Sequence, residues 1–179
     1  STHLLQFALK KILGNHIEQR GSMLTEDIFR FDFSHQSKLS DKELNDVEEL
    51  VKGLIKDEIK CVEDREANYD DAINAGAIGL FSEKYGDVVR TIKFGESYEL
   101  CGGTHVGNTK EIEDFKIISE GSQAFGIRRI TASSNKTRIK EEQLKDQAIK
   151  EKAESEKANK LLQKEIDSQN KLKIQSIKE

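Results

Sequence analysis

From Lys136 to Glu179 the chain has no glycine, no proline and no aromatic residue; all 12 glycines lie before residue 127. A stretch without glycine or proline lacks the usual turn residues, and one without aromatics has little to bury. Helix formers dominate it, so it reads as one long helix, and any core must come from what precedes it. Charge divides at the same place. Residues 135–179 hold 12 Lys and Arg against 9 Asp and Glu, a balance of +3, whereas residues 1–134 carry a balance of −7. The sequence thus predicts an acidic domain over 1–134 and a charged helical arm or connector over 135–179. Leu144, Ala148, Ala158, Leu162 and Ile166 make a weak apolar stripe on the arm, broken in heptad register by Glu151 and Ser155. Such an arm packs on a further domain or pairs with a second copy, so a dimer through this helix is one expectation.

Within 1–134, Leu4, Leu5, Ala8, Leu9, Ile12 and Leu13 recur at helical spacing, with Ser1 or Thr2 to cap the front and Gly14 to end it. The pattern starts at the first residue, which suggests a domain whose beginning lies further upstream. Next, "HIEQRGSMLTEDIFRFDFSH" alternates in period two. Phe29, Phe31 and Phe33 share one face and Arg30 and Asp32 the other, with "TED" as the turn of a hairpin. Ser40 and Glu43 form a capping-box pair that opens a helix reaching about Ile59. A strand near Cys61–Glu66 and a short helix near Tyr69–Ala75 follow. Further strands are predicted at Val88–Phe94, Tyr98–Leu100, Phe115–Ser119 and Ile127–Ala132. Helices and strands mix without a βαβ rhythm, which predicts an α+β fold: a mainly antiparallel sheet with packed helices, then the long C-terminal helix.

Composition narrows the function classes. No apolar run approaches the ~20 residues that span a bilayer, and no basic-then-apolar leader is present, so a cytoplasmic protein without membrane contact is expected. A net charge of −4 argues against a large basic face gripping nucleic acid. Two cysteines make no disulfide framework; a Cys61–Cys101 bridge, metal binding and bystander roles all remain open.

The stretch "ELCGGTHVGN" places a thiol and an imidazole four positions apart around two glycines. These are ligand types that zinc prefers, and the glycines let the loop fold both onto one ion. Gly102 and Gly103 also bare the backbone N–H groups to a ligand. By itself Cys-x₃-His is weak evidence, the plain alternative being a buried cysteine beside a surface histidine. His3 opens the first helix. A metal-binding pair on a helix uses His-x₃-His, because positions four apart share a face, so its partner would lie upstream of Ser1. Glu99 stands two before Cys101; on a strand both point to one face, making Glu99 a candidate to orient water or support a ligand.

Taken in order and spacing, "STHLL", "EQRGSM", "FRFDFSH", "LFSEKYGDVVR", "ELCGGTHV" and "GIRRITA" resemble the editing domain of alanyl-tRNA synthetases. The resemblance covers about residues 1–134, and the arm resembles the connector to those enzymes' C-terminal domain. Free-standing alanyl editing proteins and the threonyl-tRNA synthetase editing domain are the next relatives, and "CGGTH" favours the alanyl branch.

The resemblance implies hydrolysis of mischarged seryl- and glycyl-tRNA(Ala), with the tRNA acceptor end as partner and ATP and alanine handled by other domains. It implies zinc held by His3, Cys101 and His105, the fourth ligand lying upstream. It implies that Thr2 senses the serine hydroxyl and that Gln19 lines the pocket beside the aminoacyl group. Lys84, Arg128 and Arg129 are the candidates for phosphate contact, and since the two arginines point to opposite faces of a strand, at most one of them meets a given ligand. A zinc-stapled tRNA-binding module without chemistry is the competing expectation.

Overall fold

The computed structural model describes residues 1–79 and 85–176, with side chains through residue 164. The chain divides into two compact units, Ser1–Ile139 and Lys140–Glu179.

The first unit begins with helix α1 (Thr2–Leu13). Its apolar positions bury Leu4, Leu5, Ala8 and Leu9, and Gly14 ends it at φ 111°, a conformation that favours glycine. Strands β1 (Gln19–Leu24) and β2 (Phe29–Ser34) form the hairpin, closed by Thr25, whose N–H and hydroxyl both donate to the C=O of Ile28. Phe29, Phe31 and Phe33 are buried while Arg30 and Asp32 alternate outward. Helix α2 (Asp41–Lys56) carries the full capping box: Ser40 Oγ accepts from Glu43 N–H, and the Glu43 carboxylate accepts from Ser40 N–H. Then come β3 (Val62–Asn68), α3 (Tyr69–Asn74), β4 (Val88–Phe94), β5 (Ser97–Leu100), a 3₁₀ turn at Thr109–Ile112, β6 (Lys116–Ala124) and β7 (Ile127–Ser133).

Two antiparallel sheets result, in the orders β1-β2-β7-β6 and β3-β4-β5. One core joins them: side chains of α1 and α2 meet Phe29, Phe31 and Phe33 of β2, Ile130 and Ala132 of β7, and Ile92 and Phe94 of β4. Each fully buried aliphatic or aromatic side chain there contributes roughly 1.5–3 kcal/mol. A smaller cluster of Ala72, Ala77, Val89 and Leu100 packs α3 on the second sheet. The fold is α+β, as the interspersed patterns predict.

Two boundaries move by three residues or more. The second helix stops at Lys56 rather than near Ile59, because Glu58 turns to φ 49° and the N–H of Ile59 bonds instead to Thr109 Oγ1. The sixth strand runs five residues past Ser119, carried along β7 with bulges at Ile117/Ser119 and Ser122/Ala124. Both cysteines are free thiols, so the Cys61–Cys101 bridge is not formed. Helix α4 (Lys136–Ser176) has Asn135 before it, whose Oδ1 accepts from the N–H of Thr137. In the second unit Leu144, Ile149, Leu161 and Leu162 are exposed. No helix among the described residues is long and apolar enough to cross a membrane.

Candidate functional site

The first turn of α1 and the end of β5 converge on one cavity of about 720 Å³. Thr2 and His3 enter it from α1, Gln19, Ser22 and Leu24 from β1, Glu99 from β5, and Cys101, Gly103, Thr104 and His105 from the loop that follows. Ser134, Asn135 and Lys136 border it as well.

The ligand atoms of His3, Cys101 and His105 all lie within 4.8 Å of one another, close enough to hold a metal ion. The Nε2 atoms of His3 and His105 are 3.3 Å apart, and the rings meet edge to face. Burial, helped by the neighbouring His105, lowers the His3 pKa to about 3. His105 is lowered too, by burial and then by the charge of Arg90. Both imidazoles are therefore neutral near pH 7, the form that ligates metal. Their Nδ1 atoms are buried with no hydrogen-bond partner. A thiol and two neutral imidazoles whose Nε2 atoms face each other make a donor set suited to a cation of intermediate softness.

Glu99 is 2% exposed, and burial pushes its carboxyl up to about 7. Its Oε2 lies 3.5 Å from His3 Nε2. With that imidazole neutral, the contact is polar rather than an ion pair. Gly103 sits between the two loop ligands: a Cβ there would be in van der Waals contact with both, 3.6 Å from Cys101 Sγ and 3.9 Å from His105 Cε1. A Cβ on Gly102 would meet open space, and Gly102 is not among the cavity-lining residues.

The loop is moored at both ends. The C=O groups of Cys101 and Gly103 accept from Arg90 Nη1. Further on, the N–H of Cys61 donates to Gly107 C=O and that of Thr109 to Ile59 C=O. Thr109 is fully buried, and its hydroxyl donates to Leu54 C=O while accepting from Ile59 N–H.

Thr2, His3, Gln19, Glu99, Cys101, Gly103 and His105 thus face one cavity. Arg128 lies apart from it, with its guanidinium committed to the buried Glu120 carboxylate through bonds of 2.5 and 2.7 Å. Arg129 pairs with Asp32 across β2 and β7. Lys84 lies outside the described residues.

Sequence reasoning missed Ser22 and Leu24. Strict alternation from Gln19 would aim them away, but the register slips between Gln19 and Gly21, and the bulge brings Ser22 and Leu24 onto the face of Gln19. Gln19 Nε2 then donates to Ser22 Oγ at 3.3 Å. A glycine inside a strand was the available signal. It missed Arg90 also, although "DVVR" ends one of the recognised motifs.

Comparison with known proteins gives consistent relatives. Residues 89–131 match the family described as the threonyl and alanyl tRNA synthetase second additional domain. The chain is 52% identical over 145 residues to the alanine–tRNA ligase of Christiangramia forsetii, covering 80% of this chain and 17% of that protein. It is 54% identical over 132 residues to that of Flavobacterium psychrophilum, 74% and 15% respectively. The corresponding values for Bacteroides fragilis are 51% over 141 residues, 79% and 16%. The chain spans about a sixth of the length of these relatives.

Proposed function

The chain belongs to the alanyl-tRNA synthetase family, and on that premise we propose that it forms the editing pocket of such an enzyme, hydrolysing seryl- and glycyl-tRNA(Ala). The observation that carries the proposal is the meeting of His3 with Cys101 and His105 in a cavity also lined by Thr2, Gln19 and Glu99.

An aminoacyl ester is already activated, so the pocket need only position a water and steady the developing oxyanion. His3, Cys101 and His105 would hold zinc, which when bound supplies fixed positive charge and Lewis acidity at that end of the pocket. Thr2 pairs its hydroxyl with that of serine. A site built for that bond prefers serine to alanine, which would leave a polar group unpaired; glycine lacks the hydroxyl as well, so its hydrolysis does not draw on Thr2. Gln19 lies against the aminoacyl group, its amide oriented by Ser22. Glu99 orients the water or steadies His3, which it faces at 3.5 Å. The bare backbone at Gly103, which lines the cavity, admits the terminal adenosine closely. Affinity for the rest of the tRNA comes from other domains of the enzyme, which is expected in the cytoplasm with α4 as its connector.

The test is deacylation of seryl-, glycyl- and alanyl-tRNA(Ala) by the whole chain and by Cys101→Ala. Faster release of serine and glycine than of alanine, lost in a folded Cys101→Ala variant, supports the reading. Binding of tRNA(Ala) without accelerated deacylation would instead make this a zinc-stapled binding module.

A further inference from the structure

The loop carrying Cys101 and His105 has no side chain at Gly102 or Gly103 with which to fix its own shape, and glycine leaves the backbone wide freedom. Two of the three gathered ligands nonetheless depend on that shape. One residue of β4 grips the start of the loop. The backbone C=O of Arg90 accepts from Cys101 N–H at 3.2 Å. Its Nη1 donates to Cys101 C=O at 3.0 Å and also to Gly103 C=O, reaching across Gly102. Cys101 is therefore held through both its N–H and its C=O.

Arg90 is itself anchored. Glu63 of β3 stands opposite Ile92, which places Arg90 on the diagonal of the same face, and Glu63 Oε1 accepts from Arg90 Nε at 2.7 Å. The same oxygen accepts from Arg65 Nε at 2.6 Å. The guanidinium thus has its Nε edge fixed by a carboxylate and its Nη1 aimed at two carbonyls.

We infer that Arg90, anchored by Glu63, is a positioning residue that holds the Cys101–His105 loop in its ligating shape before any ligand arrives. Ordering the loop in advance removes an entropy cost from whatever binds there. A lysine keeps the charge but lacks the planar fork needed to serve Glu63 and both carbonyls at once. The inference deepens the editing reading of this pocket: its catalytic consequence rests on that reading, while its effect on loop order does not.

The test is ¹⁵N relaxation on the metal-free whole chain, comparing wild type with Arg90→Lys, Arg90→Ala and Glu63→Gln. Backbone order parameters at Gly102 and Gly103 should fall from about 0.85 to below about 0.6 in both Arg90 variants, with Ile92 unchanged. Glu63→Gln should give a smaller fall. Co²⁺ affinity should drop roughly 10–100-fold in the Arg90 variants, the usual effect of removing a group that orients ligands. If Arg90→Ala unfolds, Arg90→Lys decides, since it keeps the aliphatic stem. Unchanged order at Gly102 and Gly103 in Arg90→Lys overturns the inference. A loosened loop in a chain that never deacylates seryl-tRNA supports it and removes the editing reading; an unaltered loop in an active chain does the reverse.

Discussion

His3 and His105 stand 102 positions apart in the chain, yet their Nε2 atoms lie 3.3 Å from each other. Two ligands of one tetrahedral ion, each about 2.0–2.1 Å from it, would be separated by roughly this distance. The chain should therefore take up Co²⁺ with the near-ultraviolet absorption of a thiolate–cobalt bond. Cys101→Ser should abolish that band, and Cys61→Ser should leave it. Cys61 packs partly buried against the core, and burial raises its thiol pKa. An optical titration of the three proteins checks this, and a band that follows Cys61 would refute the assignment.

Thr109 ties the end of α2 to the segment that follows the Cys101–His105 loop. Its hydroxyl satisfies Leu54 C=O and Ile59 N–H from a fully buried position. Thr109→Val keeps the shape and strands both groups, so it should lower stability by about 1–3 kcal/mol. Urea unfolding of the two proteins measures the difference, and equal midpoints would show that water replaces the hydroxyl.

What the sequence made legible was local. The period-two run at Phe29, Phe31 and Phe33 and the Ser40–Glu43 cap lie within a few residues of their consequences, and both are present in the structure. The convergence of α1 with the glycine loop had no local signal and came from resemblance alone. Alternation failed at Gln19–Gly21 because a bulge shifts the phase. It could not show that Arg128 is engaged by Glu120, since that pairing depends on the register of β6 against β7. Arg90 and Thr109 escaped for the same reason: their partners are fixed by tertiary neighbours, not by spacing.

The α2 cap makes a pH-dependent contribution whose sign follows from its geometry. Backbone and hydroxyl hydrogen bonds from Ser40 hold the Glu43 carboxyl below its ordinary pKa. A depressed folded-state pKa means stability that is present above the unfolded value and lost as pH falls through the folded one. Glu43→Gln preserves the capping hydrogen bond without the charge. Wild type should thus exceed Glu43→Gln in thermal midpoint at pH 7, with the gap closing below the depressed pKa. A gap that stays constant down to pH 2 would place the contribution elsewhere.

On the proposed reading, Thr2 should separate the two substrates by chemistry. It reaches the cavity from the first helical position, while Ser1 occupies the N-cap without a side-chain capping bond. Serine offers a hydroxyl for Thr2 to pair with, and glycine offers none. Thr2→Val keeps the volume and removes the hydroxyl, forfeiting a hydrogen bond of about 1–3 kcal/mol in the bound state. That corresponds to a fall in kcat/KM for seryl-tRNA(Ala) of roughly 5–150-fold. Glycyl-tRNA(Ala) never made the bond and should be deacylated at nearly the wild-type rate. Parallel measurements on the two substrates decide the matter: an equal loss on both would mean that Thr2 shapes the pocket without reading the hydroxyl.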